Sequence, residues 1–107
     1  MEYVSGNIFL RPNNLVKAGD GVKGDLHNFD HTTFVVHGAV HVKVTDPPGN
    51  TIIEGDFVAG EHFLVKAQYL HDIVATVDGT QFVCIYSHRT PQGDIILEYN
   101  GWGTNYQ

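Results

Sequence analysis

Two stretches of the sequence hold the residues best suited to chemistry. Between Gly19 and Gly38, GDGVKGDLHNFDHTTFVVHG contributes Asp25, His27 and His31; between Gly60 and Ala75, GEHFLVKAQYLHDIVA contributes His71. Three imidazoles and a carboxylate make a nitrogen and oxygen donor set that suits one divalent first-row metal ion, and Fe, Mn, Ni, Zn and Cu all accept it. Asp25, His27 and His31 share one parity, so along an extended chain they project to one side. Asp25 has the shorter reach. It binds the ion directly, accepts the N–H of a ligand histidine and fixes its tautomer, or is a simple turn aspartate.

The remaining candidates have plainer readings. Asp30 has the opposite parity to His31 and is expected to bond backbone N–H groups of its turn. His37, His41, His62 and His88 are read as turn, strand-surface and strand-end residues. Tyr69, Phe29 and Tyr86 either wall a pocket beside the metal or belong to the core. Cys84, the only cysteine, lies in the apolar run FVCIY and is read as a small buried residue, so no internal disulfide is expected. No Ser-His-Asp arrangement, paired-carboxylate site or phosphate-cradling glycine loop is legible.

The elements that must position these residues are strands. Twelve glycines and four prolines punctuate short runs of Val, Ile, Phe, Tyr and Thr, an all-β pattern. Residues 2 to 10 are read as an edge strand interrupted at Gly6, RPNN at 11 to 14 as a turn, and 15 to 17 as a short strand. AGDG turns the chain before the metal-ligating stretch. TTFVV at 32 to 36 is strongly β-prone, with a tight turn at His37-Gly38. In AVHVKVT at 39 to 45, Val40, Val42 and Val44 face one way and His41, Lys43 and Thr45 the other. DPPGN is a hairpin loop, since adjacent prolines cannot sit in a ladder; residues 51 to 54 return from it, and Gly55-Asp56 is read as the next turn. Strands follow at 62 to 65, 70 to 77 and 81 to 87, the last read as buried on both sides. A strand at 94 to 99 leads into an aromatic tail with Trp102 and Tyr106. Nine or ten strands with regular turns predict one all-β domain over residues 1–107, a sandwich or barrel.

The spacing of the two stretches resembles the paired motifs of the cupin family. The first motif is G-(x)5-H-x-H-(x)3-4-E-(x)6-G, and Gly19, Asp25, His27, His31 and Gly38 fall on its five marked places. The second is G-(x)5-P-x-G-(x)2-H-(x)3-N, and Gly60, Lys66, Gln68, His71 and Ala75 fall on its own. Asp25 stands at the first histidine and His31 at the glutamate, so the set of three histidines and one carboxylate is kept but permuted. Lys66 and Gln68 replace the proline and glycine that shape a turn. The resemblance implies a single-domain β-barrel of jelly-roll type, two packed antiparallel sheets, with the metal held inside by His27, His31, His71 and Asp25. It allows dioxygenase, isomerase or lyase chemistry on a small polar molecule. A non-catalytic module binding a metal or small ligand, or serving as an accessory subunit, is the alternative. A jelly roll that binds carbohydrate without metal is a third reading.

Charge and composition limit the partners. A formal net charge of -6 with six scattered basic residues provides no patch to release phosphate counterions, so nucleic acid is not an expected partner. No run approaches transmembrane length and no signal peptide is legible, which predicts a cytoplasmic protein without a membrane partner. Apolar outer runs and the aromatic tail predict a homodimer paired through sheet edges or faces.

Overall fold

The computed structural model describes residues 3–5, 8–87, 89 and 92. Nine strands run through them: β1 (Tyr3–Ser5), β2 (Ile8–Val16), β3 (Gly21–Asp25), β4 (His31–His37), β5 (Ala39–Thr45), β6 (Thr51–Val58), β7 (His62–Val65), β8 (Leu70–Ala75) and β9 (Thr80–Tyr86). They form two antiparallel sheets, one ordered β1-β2-β9-β4-β7 and the other β3-β8-β5-β6. The sheets face each other as a jelly roll of the cupin class, but no ladder joins them into a closed barrel among the described residues. Most connections cross from one sheet to the other, so corners rather than hairpins set the topology. The readings for residues 94 to 99 and for the tail lie outside the described residues, as does His88.

The core follows from the alternation of the strands. Val40, Val42 and Val44 of β5 are completely buried, while His41 and Lys43 between them are exposed. They meet Val35, Phe63, Val65, Ile73 and Phe82 in one apolar cluster between the sheets. Burying a side chain of this size is worth roughly 1.5–3 kcal/mol each, so this cluster is the main stabilising element. The predicted DPPGN loop is present. Asp46 caps it, its carboxylate accepting the N–H groups of Gly49 and Asn50 at 3.0 and 2.7 Å.

The corner between β4 and β5 needs glycine. Gly38 has φ +79°, and a Cβ there would run into Thr80. Thr80 is itself fully buried, and its hydroxyl oxygen lies within hydrogen-bond distance of the carbonyls of Val77 and Ala39. The left-handed backbone and the close approach both exclude a side chain.

Three local readings are corrected. RPNN is not a turn: Arg11, Pro12 and Asn13 pair with Cys84, Val83 and Phe82 within β2. Proline is tolerated there because β1 pairs with β2 only at Ile8, Phe9 and Leu10 among the described residues, leaving an open side at Pro12. Gly55-Asp56 is not a turn either, since both pair with β5, opposite Val42 and His41, and the turn falls at Gly60 with φ +92°. Finally, β9 is not equally buried on its two faces: Phe82 and Tyr86 are buried, whereas Val83 and Ile85 are half-buried on the outer side.

Candidate metal centre

The strand that begins at Gly21 ends at Asp25, and the chain then leaves its sheet. His27 lies in the connection and His31 opens β4 in the opposite sheet. The shared parity of Asp25, His27 and His31 therefore does not come from one continuous strand; the chain turns through Asn28 and Phe29 between them. His71 arrives from β8, directly opposite Asp25 in the ladder. His27, His31 and His71 are all buried, at 6%, 3% and 2% exposure, which is unusual for three titratable rings unless something binds them.

The donor atoms converge. Asp25 Oδ2 is 3.4 Å from His27 Nε2 and 3.7 Å from His71 Nε2, and ligand atoms of these three residues all lie within 4.8 Å of one another. Donors bound to one ion at about 2.0–2.1 Å stand roughly 3.0–3.4 Å apart for cis or tetrahedral arrangements, so the two Asp25 distances come near that range, and any wider separation, within 4.8 Å, would have to close around a small cation. This is the one group of three or more His, Cys, Asp or Glu donors with that property among the described residues. His31 stands beside the group. Its ring centroid is 5.0 Å from that of His71 and 5.4 Å from that of His27, and those two are 5.5 Å apart. Three imidazoles sharing an ion have centroids about 5 Å apart, so the triangle has the right size. Both ring nitrogens of His31 are buried without a hydrogen-bond partner. Buried donors and acceptors normally find partners, and a metal ion is a group that would supply one here.

Burial favours the neutral form of His31 and His71, which is the form that binds metal. Burial pushes His31 down to about 3, and the neighbouring His71 and His27 push in the same direction. Burial likewise lowers His71, against the opposing hydrogen bond to the Tyr69 carbonyl and the charge of Asp25. That hydrogen bond, from Nδ1 to the Tyr69 carbonyl at 3.3 Å, selects the tautomer that leaves the Nε2 lone pair facing Asp25. Asp25 itself is raised by burial. The hydrogen bond and charge of His27, the charge of His71 and the Leu26 N–H outweigh that, and its net value is lowered.

The surroundings hold the two motif stretches together. Gln68 N–H donates to the His27 carbonyl at 2.7 Å, and Ala67 N–H donates to Asp30 Oδ1 at 2.7 Å. Asp30 thus serves backbone N–H groups, as its parity suggested, although the N–H belongs to the second stretch. Phe29 and Tyr86 are buried beside the site, Phe29 at 4.8 Å from His27 and 4.5 Å from Tyr86 between ring centroids. Cys84 is packed against Thr33, and burial raises its thiol, so it is not poised for reaction. His37, His41 and His62 are exposed and stand apart from the centre.

One inward residue escaped the sequence reading. Arg11 lies on the inner face of β2, in register with Cys84, and its Nη2 donates to the Tyr86 hydroxyl at 2.9 Å with the guanidinium 5.4 Å from the ring centroid. Reading β2 through Pro12 would have found it, because Phe9 and Arg11 then share a face.

Comparison with known structures places the fold. No protein-family model matches the sequence, and neither does any curated protein. Solved structures do. An oxalate decarboxylase superposes with a TM-score of 0.68 at 18% identity over 76% of this chain and 21% of its own. The 11S allergen from Cocos nucifera gives 0.71 at 17% identity over 88% and 24%. A cupin superfamily protein from Desulfitobacterium hafniense gives 0.64 at 15% over 79% and 71%. The chain spans about a fifth to a quarter of the length of the seed globulins and the decarboxylase it matches. The chain has the cupin fold, and the motif resemblance read from its sequence is supported at the level of the fold.

Proposed function

We propose that this protein binds one divalent transition-metal ion through His27, His71 and His31, with Asp25 beside or on the ion, and that the site acts on a small polar molecule. The convergence of Asp25 Oδ2 with Nε2 of His27 and of His71 carries this reading. Ligation by His31 requires its ring to swing toward that group, and its two partnerless nitrogens favour such a move. When bound, the ion would supply Lewis-acid polarisation of a substrate oxygen or, if redox-active, reaction with O2. The chain's own residues do the rest. Tyr69 fixes the His71 tautomer, Asp25 supplies negative charge, and Phe29 and Tyr86 keep water from the inner wall. Arg11 places a cation on the inner face next to Tyr86, which favours a substrate with an anionic group. Dioxygenase, isomerase and lyase chemistry all fit such a site, and the fold does not choose among them.

A second reading is a non-catalytic binding module. It is favoured by the likeness to seed globulins, which the same fold serves as well as it serves a decarboxylase. Cobalt(II) loading separates the two. The proposal expects visible d–d bands from nitrogen and oxygen ligation, and a shift of those bands when small carboxylic acids are added, because a coordination position is open. Bands that ignore every added acid would favour the non-catalytic module. No bands at all would remove the metal from the reading.

A further inference from the structure

In a regular strand Asp25 would point away from the core. Val22 of β3 pairs with Ile73 of β8; Ile73 belongs to the core cluster and Val22 packs against it. Side chains alternate along a strand, so the third residue after Val22 would face outward. Asp25 instead pairs with His71, which is buried, and its carboxylate lies on the inner side with that ring. The residue count explains this. Between the two pairs β3 has Lys23 and Gly24, whereas β8 has only Asp72. The extra residue is a β-bulge, and it inverts the facing of every residue beyond it. Exposure along β3 records the inversion: Val22 and Asp25 are half-buried, while Gly21, Lys23 and Gly24 are exposed.

Two features hold the bulge. Gly24 has φ +66°, in the left-handed region, and a Cβ there would meet nothing within 4 Å, so the backbone and not a clash calls for glycine. A bulge also takes a backbone N–H out of the ladder. Here the Gly24 N–H donates to the carboxylate of Asp72, the residue that the bulge faces. A carboxylate acceptor makes this a charge-assisted bond, stronger than an ordinary ladder bond.

We infer that Asp72 is a positioning residue for the candidate metal centre: by holding the Lys23-Gly24 bulge from the outer face, it turns Asp25 inward against His71. Consecutive residues of β8 thus divide the work, His71 reaching into the centre and Asp72 fixing the strand that brings Asp25 to it. With the bulge removed, the ladder would set Gly24 opposite His71 and send Asp25 to the outer face. The carboxylate would then leave its place 3.4 and 3.7 Å from Nε2 of His27 and His71. The placing of Asp25 is a property of the strand; its consequence for an ion rests on the metal reading proposed above.

Nuclear Overhauser contacts between the Asp25 side chain and the His71 ring, in metal-free protein, test the placing without an ion. They are expected in the wild type and in Asp72→Asn, whose amide oxygen still accepts the Gly24 N–H, and are expected to vanish in Asp72→Ala. Asp72→Val, which also lacks the acceptor but favours a strand, serves if Asp72→Ala does not fold, with folding checked by circular dichroism. Contacts absent from the wild type, or undiminished without the acceptor, overturn the inference. Competition with a chelator for cobalt(II) reads the consequence. Asp72→Ala is expected to weaken binding about tenfold, and to add no further loss in an Asp25→Asn background, because both act through one carboxylate. Unchanged affinity in Asp72→Ala, or an equal further loss in the Asp25→Asn background, overturns the inference as well. A wild type that binds no cobalt removes the metal proposal instead, and the Asp25–His71 contacts alone then decide the role of Asp72.

Discussion

Asp25 occupies a position that decides how the centre is charged. Its Oδ2 faces Nε2 of both His27 and His71, so on the proposed reading, whether it would touch the ion or steady its ligands, removing its charge is expected to weaken the site. Asp25→Asn keeps the size and loses the charge. Metal affinity, read by competition with a coloured chelator, is expected to fall by about 10–100-fold with the fold intact; an unchanged affinity would detach Asp25 from the centre. The histidines set the response to acid. In the unfolded chain His31 takes a proton near its ordinary value of 6.5, but in the folded chain only near 3, because burial opposes the charge. The unfolded state thus binds more protons in that window. Stability of the metal-free protein is full above pH 6.5 and falls as pH drops, by about 1.4 kcal/mol per unit for His31 alone. His71 shifts in the same direction and steepens the fall. Urea melts at stepped pH check this, and a flat profile between pH 6.5 and 4 would contradict it.

At the scale of elements, the turn before His71 repays attention. Gln68 has φ 70°, the one non-glycine residue in the left-handed region among the described residues, and it stands where the resembling motif has glycine. The backbone there takes the left-handed form that glycine accepts at no steric cost. A side chain there costs about 1 kcal/mol or more relative to glycine. Gln68→Gly is therefore expected to raise the urea midpoint by the equivalent of about 1 kcal/mol, and a loss of stability would show that the Gln68 side chain matters more than its strain. The strands were legible wherever one face is buried and the other wet: Val40, Val42 and Val44 declared β5, and Asp46 with two prolines declared its hairpin. Pro12 and Gly55 misled because both are ordinarily breakers. Each is tolerated by its ladder position, and pairing partners distant in sequence cannot be read from local pattern. For the candidate site, spacing singled out Asp25, His27, His31 and His71, which the fold brings near one another. It could not tell that Asp25 and His31 belong to opposite sheets, nor that Arg11 turns inward, because both depend on which sheet each strand joins.

At the scale of the molecule, two sheets enclose one apolar core and one polar cluster. The core cluster of Val35, Val40, Val42, Val44, Phe63, Val65, Ile73 and Phe82 contains none of the candidate ligands, so the fold is expected to stand without an ion, unlike small domains that fold only around one. Loss of the ion should then leave the circular dichroism spectrum native-like while lowering the melting temperature, since a ligand bound only by the folded state adds stability by mass action. A chain that unfolds on chelation would contradict this division of labour.

The central claim is that His27 and His71, with Asp25 and His31, hold one metal ion. Elemental analysis tests it most directly, on protein purified without an affinity tag and compared with the His27→Ala/His71→Ala variant. The account predicts about one Fe, Mn, Ni, Zn or Cu per wild-type chain, and none in the folded variant after the same reconstitution. Wild-type protein that takes up none of these ions, or a variant that retains the full complement, would contradict it.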